Sequence, residues 1–322
     1  MAKYCFKKLA QLIVILFLIS IFSFAIIYIA PGDISSMYLT PEMTDEERQI
    51  VIEKLGLDKT LHEQYIGWLS EAVRGNLGMS LAFRTPVTFL FAKRLPATVL
   101  LMGLSILVSL ALAIPLGLIT GYRKNTRLDH LISFFSYVGM SIPSFYFGML
   151  LIILFAAQLH LLPSSGIHTV GVNTPFDTFL HLIMPVSTLA FGHISSYTRY
   201  IRSNTIAQLK EEYVLTAKSK GSSPVKILFK HVLKNTLLPI ITLLGMRLSS
   251  LVCGSFLVES LFGWPGVGSL AMDATGSRDY PVIMAYVMLS GFILVIGNFI
   301  ADILYSFADP RIKRGINDAT RS

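Results

Sequence analysis

Six stretches of the chain are apolar on every side rather than along one stripe: 9–29, 97–120, 131–157, 179–197, 237–258 and 282–307. A helix packed in a soluble fold would instead repeat apolar residues at i, i+3 and i+4. Crossing about 30 Å of hydrocarbon takes roughly 20 apolar helical residues. The pattern therefore predicts an all-α polytopic membrane protein with six transmembrane helices. The fourth run is the shortest and contains Pro185, which a span tolerates when neighbouring helices satisfy the freed carbonyl. Lys3, Lys7 and Lys8 precede the first run, as in a signal peptide. Its length exceeds a usual signal core and no small-x-small site follows, so it is read as a retained span.

Two polar segments carry a pattern of their own. In 31–96, Thr44 stands before Asp45-Glu46-Glu47, an N-cap with acids in the first turn. Gly56 is placed to end that helix, and a second is expected through 63–73. The prediction is a small helical cap, which either packs on the bundle or meets an external partner. In 198–236, a helix around Val214, Ala217 and Lys218 is followed by Gly221, suited to its C-terminus. Ser222 or Ser223 can cap the next helix, with Pro224 in its first turn. Topology alone leaves two roles open for this helix–turn–helix bracket, tying two spans together or docking a partner.

Composition agrees with a lipid-embedded chain: 53% of residues are hydrophobic and 14% charged. The net charge of +8 reflects topology rather than nucleic-acid binding. With the N-terminus inside, Lys3, Lys7, Lys8, Arg123, Lys124, Arg127, the basic residues of 198–236 and those of the tail all lie on the cytoplasmic side, as the positive-inside rule requires. Both termini are then cytoplasmic. Cys5 and Cys253 suit neither a disulfide nor a metal site.

No Gly-Lys dipeptide occurs, so there is no P-loop. No H-E-x-x-H or G-x-S-x-G is present either. The expectation is a chain with no catalytic residue and no cofactor of its own. Any work done with ATP and Mg needs another subunit to bind them. Arg247 lies within a span, where an arginine costs at least about 2.5–3.5 kcal/mol. It either lines a translocation path, attracting a carboxylate, or pairs with Asp302, Glu259 or helix-end carbonyls. Ser141, Pro143 and Glu259 are further candidates for the path, and Ser141, Pro143 and Ser144 are expected to bend or loosen the third span, in packing or in gating. Asn298 and Asp302, one turn apart, are expected to satisfy each other or neighbouring helices. The seven histidines, among them His168, His181 and His193, are too dispersed to make a metal site.

The bracket reads Glu212-Tyr213-Val214-Leu215-Thr216-Ala217-Lys218-Ser219-Lys220-Gly221. It resembles the permease loop of bacterial ABC importers, in the version found in the dipeptide/oligopeptide/nickel branch. The broader pattern is Glu-Ala-Ala, three residues, then Gly. Here Leu215 and Thr216 replace Glu-Ala while Ala217 agrees, a departure usual in that branch. Where the general pattern continues Ile-x-Leu-Pro, the chain has His231-Val232-Leu233-Lys234. Asn235 and Leu238-Pro239 suit the branch better. Further similarity runs through Pro31-Gly32-Asp33, Arg74-Gly75-Asn76-Leu77-Gly78-Met79-Ser80, Arg94-Leu95-Pro96-Ala97-Thr98, Ser141-Ile142-Pro143-Ser144-Phe145 and Leu162-Pro163-Ser164-Ser165-Gly166. It continues in Val258-Glu259, Trp264-Pro265-Gly266-Val267-Gly268, Arg278-Asp279-Tyr280-Pro281-Val282 and Asp309-Pro310-Arg311.

The resemblance implies a type I importer fold and one permease domain over 1–322. It also implies a coupling helix in 211–224 that docks on a cytoplasmic ATPase. Glu211, Glu212, Tyr213, Thr216, Ala217, Lys218, Lys220, Gly221 and Ser222 are the residues expected at that contact. Implied partners are a second homologous permease, two ATPase subunits, an extracytoplasmic solute-binding protein and the bilayer of the bacterial inner membrane. Peptides lead as the solute, nickel or a metal chelate stands second, and the motifs do not separate them. An ion-coupled secondary transporter would show internal repeats, and none is evident; a membrane enzyme or scaffold lacks supporting motifs.

Overall fold

The computed structural model describes residues 2–29, 43–55, 58–237, 240 and 248–308. Gly56, Leu238, Pro239, Arg247, Pro31-Gly32-Asp33 and Asp309-Pro310-Arg311 lie outside the described residues, as does the side chain of Asp302. Every regular element among the described residues is helical. They are α1 (Ala2–Ile29), α2 (Asp45–Leu55), α3 (Leu61–Val73), α4 (Val87–Tyr122), α5 (Arg127–Ser141) and α6 (Ser144–Leu151), which runs on as π-helix Ile152–Gln158. Then come α7 (Pro175–Gln208), α8 (Glu212–Ser219) and α9 (Pro224–Lys226, continuing as π-helix Ile227–Val232). The last are α10 (Leu248–Cys253), α11 (Phe256–Leu261), α12 (Val267–Ser277) and α13 (Tyr280–Ala308).

Four of these are long and apolar enough to cross a membrane: Ala10–Ile29, Val87–Tyr122, Pro175–Gln208 and Tyr280–Ile300. A fifth candidate is the pair Arg127–Ser141 and Ser144–Gln158, bent by 102°. The third predicted span is thus a broken helix. Pro143 has no N–H to give, and it holds Ile142 in extended backbone (φ −84, ψ 123). The fourth predicted span is a longer helix than its apolar run suggested. Thr174 caps it by accepting from the Asp177 amide, Pro175 opens it, and it passes through Pro185 to Gln208. The fifth is interrupted in its described part, where Gly254 and Ser255 separate α10 from α11.

The chain groups into two compact units, Met1–Pro96 with Leu270–Val295, and Ala97–Ser269 with Ile296–Ser322. In the first, capping boxes open both cap helices. The Thr44 amide donates to Glu47 Oε2 (2.8 Å), and the Thr60 amide to Glu63 Oε2 (3.0 Å). These Thr44 and Thr60 bonds favour the ionised carboxylates and hold both below the usual range. Tyr65 and Trp68 of α3 pack around Phe24 of α1, and the Tyr65 hydroxyl meets Ser20 Oγ (2.8 Å). Buried Asp279 accepts from Ser80 Oγ and, at 3.1 Å, from the Ala82 amide.

In the second unit α7 is the hub. Gly117 and Gly121 of α4 let its backbone run against Ile201 and Thr205, where no Cβ fits. Gly139 of α5 meets Ser195 and Phe191 in the same way. Without a hydrophobic drive between helices in lipid, close packing through small residues is what holds spans together.

Candidate functional site

The bracket predicted from the sequence is present. α7 ends at Gln208, Glu211 is the N-cap of α8, and α8 stops at a complete Schellman turn. The Ser222 amide donates to Ala217 O (3.1 Å) and the Gly221 amide to Lys218 O (2.9 Å). That turn needs a left-handed residue immediately after the C-cap, and Gly221, itself one of the two donors, supplies it at φ +75. Ser223 Oγ then caps α9 by accepting from the Lys226 amide, with Pro224 in the first turn.

The two faces of α8 separate cleanly. Val214 (1% exposed) and Ala217 are buried, in a cluster with Leu118 of α4, Ile201 of α7 and Ile227 and Val232 of α9. Leu215 is 67% exposed, and around it Glu211, Glu212, Thr216, Lys218 and Lys220 are all exposed. Tyr213 is half-buried and donates to Gln208 Oε1 (2.8 Å); Ser222 is also half-buried. Ala217 was expected at a partner contact. Here it seats α8 on its own bundle, and the exposed apolar residue is Leu215, with Val225 and Phe229 exposed on α9. The Val214–Ala217 spacing of three was the available signal for the inward stripe.

Of the predicted path residues, Ser141 and Pro143 sit together at the break between α5 and α6, both exposed. Ser141 Oγ donates to Tyr137 O (2.9 Å). Beside the break is a cleft of about 290 Å³ bordered by Ser144, Phe147, Thr188, Gly192, His193 and Ser196. Arg199 Cζ lies 5.5 Å from the Tyr137 ring centre, a cation–π distance.

Glu259, the third path candidate, is fully enclosed among the described residues. Thr98 Oγ1 donates to its Oε1 (3.1 Å) and the Ser269 amide to its Oε2 (3.0 Å). The Val267 amide donates to Thr98 Oγ1 (2.7 Å), and the Trp264 indole to Ala97 O (2.9 Å). The carboxylate thus sits on the first-turn amides of α12, where a helix N-terminus favours negative charge. Gly254 and Gly266 pass so close that a Cβ on either would strike it. Glu259→Ala is expected to destabilise the solubilised protein by about 2–4 kcal/mol, since it strands several buried donors. Thermal unfolding in detergent measures this, and Glu259→Gln, which keeps an acceptor, should lose less.

His168 and His181, dispersed in sequence, converge on Asp177, each Nδ1 lying 3.7 Å from Asp177 Oδ2. Among the described residues no group of three or more His, Cys, Asp or Glu has the geometry to hold a metal ion.

Two family profiles cover nearly the whole chain. "Binding-protein-dependent transport system inner membrane component" matches residues 113–314, and "Binding-prot-dependent transport system membrane comp, N-term" matches 1–102. The chain belongs to this family. An oligopeptide transport system permease protein, AppB of Bacillus subtilis (strain 168), is 41% identical to this inner membrane component over 97% of the chain and 100% of AppB. The dipeptide transport system permease protein DppB of Lactococcus lactis subsp. cremoris (strain MG1363) is 34% identical over 97% of the chain and 100% of DppB. In fold, the inner membrane component is similar to the MetNI methionine ABC transporter in inward-facing conformations. The TM-score is 0.56 at 15% identity, over 69% of this chain and 97% of that one.

Proposed function

We propose that this inner membrane component is the permease subunit of an ATP-driven importer of di- and oligopeptides, forming half of the translocation path. The observation that carries the proposal is α8: a short helix locked by a Schellman turn, seated on the bundle through Val214 and Ala217, with Leu215 and a ring of charges turned outward. Such an element passes a push from a partner into the spans instead of absorbing it. Because Ile201 of α7 and Leu118 of α4 share its apolar seat, moving α8 moves both, and a two-state bundle then alternates between its arrangements.

In this proposal both termini are cytoplasmic, and α8 docks on one of two ATPase subunits that bind ATP and Mg. A second permease completes the path, and an extracytoplasmic binding protein delivers the solute. The peptide permeases among the relatives favour peptides over nickel.

The test is reconstitution of the co-expressed importer in proteoliposomes, with uptake of a labelled peptide mixture. Uptake should require ATP. Uptake driven by a proton or sodium gradient without ATP would replace this proposal with a secondary transporter. Leu215→Asp should release the ATPase subunits from the purified assembly and lower uptake by about tenfold or more, as expected for removing a central apolar anchor. Unchanged ATPase retention would remove α8 from the contact.

A further inference from the structure

Arg202 of α7 and Asp129 of α5 form a two-pronged ion pair, Nε to Oδ1 at 2.6 Å and a terminal guanidinium nitrogen to Oδ2 at 2.8 Å. The Asp129 side chain is 1% exposed. Its remaining acceptor capacity is used as well, by the Asn125 amide (2.8 Å) and Ser133 Oγ (3.3 Å). Asp129 also donates its own amide to Thr126 Oγ1, the N-cap of α5. One side chain therefore fixes the start of α5, the turn before it and the last turns of α7.

The position of this pair matters more than its strength. Arg202 stands ten residues before Glu212, where α8 begins. On its neighbours Ile201 and Thr205 rest Gly117 and Gly121 of α4. Three helices thus grip the end of α7 that leads to α8: α4 by backbone contact, α5 by charge, and α8 through its buried stripe. The far end of α5 is the break at Ile142-Pro143, thirteen residues and roughly 20 Å along the helix from Asp129 at about 1.5 Å per residue. The cleft bordered by Ser144, His193 and Ser196 lies at that break. A planar guanidinium gripping a carboxylate at two points fixes orientation as well as distance, which a lever needs and a single contact does not provide.

We infer that Asp129 and Arg202 are positioning residues that transmit displacement of α8 along α5 to the α5–α6 break. This rests on the permease proposal and goes beyond it, because it predicts what breaking the pair does to coupling. The experiment is the complete importer in proteoliposomes, with peptide uptake and ATP hydrolysis measured on the same preparation. Variants are Asp129→Asn, Arg202→Gln, the two combined, and Arg202→Lys. The expected result is ATP hydrolysis within about twofold of the parent while peptide moved per ATP falls about fivefold or more, the range of ordinary coupling energies. The double variant should be no worse than either single one, as for two halves of one interaction. Arg202→Lys keeps the charge but not the two-point grip, leaves the buried carboxylate paired if the neutral variants fail to assemble, and should show a smaller fall in the same ratio. A parental ratio in Arg202→Lys, uptake and hydrolysis falling in step, or effects that multiply in the double variant would each overturn the inference. Loss of ATP dependence in the parent itself would instead overturn the permease proposal.

Discussion

Gly221→Val should leave the chain in the membrane but reduce ATP-driven uptake by more than tenfold. At φ +75 an L-residue costs about 1–2 kcal/mol, and more when β-branched. Abandoning that conformation also forfeits the amide bonds to Ala217 O and Lys218 O, each about 0.5–1.5 kcal/mol net. α8 has eight residues, far below the length at which a helix holds in water without tertiary support, so these terms decide whether it stays seated. Each 1.4 kcal/mol is about a factor of ten in the ordered population. Nothing lies within 4 Å of a Cβ built at Gly221, so the expected defect is one of backbone conformation, not crowding. Asn tolerates the left-handed region, and Gly221→Asn should therefore recover most of the uptake. The measurement is uptake per inserted permease, normalised by quantitative immunoblot. Normal uptake by Gly221→Val would separate α8 from coupling altogether.

Gly117→Ala and Gly121→Ala are expected to fail earlier, at assembly. A Cβ at Gly117 would lie 2.6 Å from Ile201 Cβ and 2.9 Å from the Thr198 carbonyl. At Gly121 it would lie 2.6 Å from Thr205 Cβ and 3.0 Å from the Arg202 carbonyl. Backbone cannot swing aside as a side-chain tip can, so the helices must separate, at about 1–3 kcal/mol per site. In lipid no hydrophobic drive between helices makes up the loss. The yield of monodisperse protein on size exclusion and its melting temperature should both fall. Gly103→Ala is the control on the same helix, because nothing lies within 4 Å of its Cβ. Equal behaviour of the three variants would show that α4 and α7 do not rely on this contact.

Local chemistry makes several features legible in the sequence itself. The apolar runs anticipated α13 nearly end to end and the C-terminal end of α1 at Ile29, because lipid demands a continuous apolar segment whatever its neighbours are. Thr44 opened α2 where its cap chemistry placed it, and Gly221 ended the bracket's first helix, since caps and left-handed turns are satisfied within a few residues of chain. Pro185 was tolerated inside its helix, while Pro143 broke one. Both outcomes follow the expectation from the sequence; how sharply the chain turns at Pro143, 102°, depends on whether surrounding helices take up the freed carbonyl.

What the sequence left open were the long-range pairings. Ala217 turned inward because α4, α7 and α9 converge beneath α8. Glu259 is enclosed by Thr98, 161 positions away, and by the first turn of α12. Asp129 met Arg202 across 73 positions, and neither residue had stood out from the basic and acidic background of its loop. Periodicity and capping act within one or two helical turns, so a chain states them locally. Which carboxylate finds which guanidinium is settled only when helices meet, and here they meet where glycines let the backbones touch.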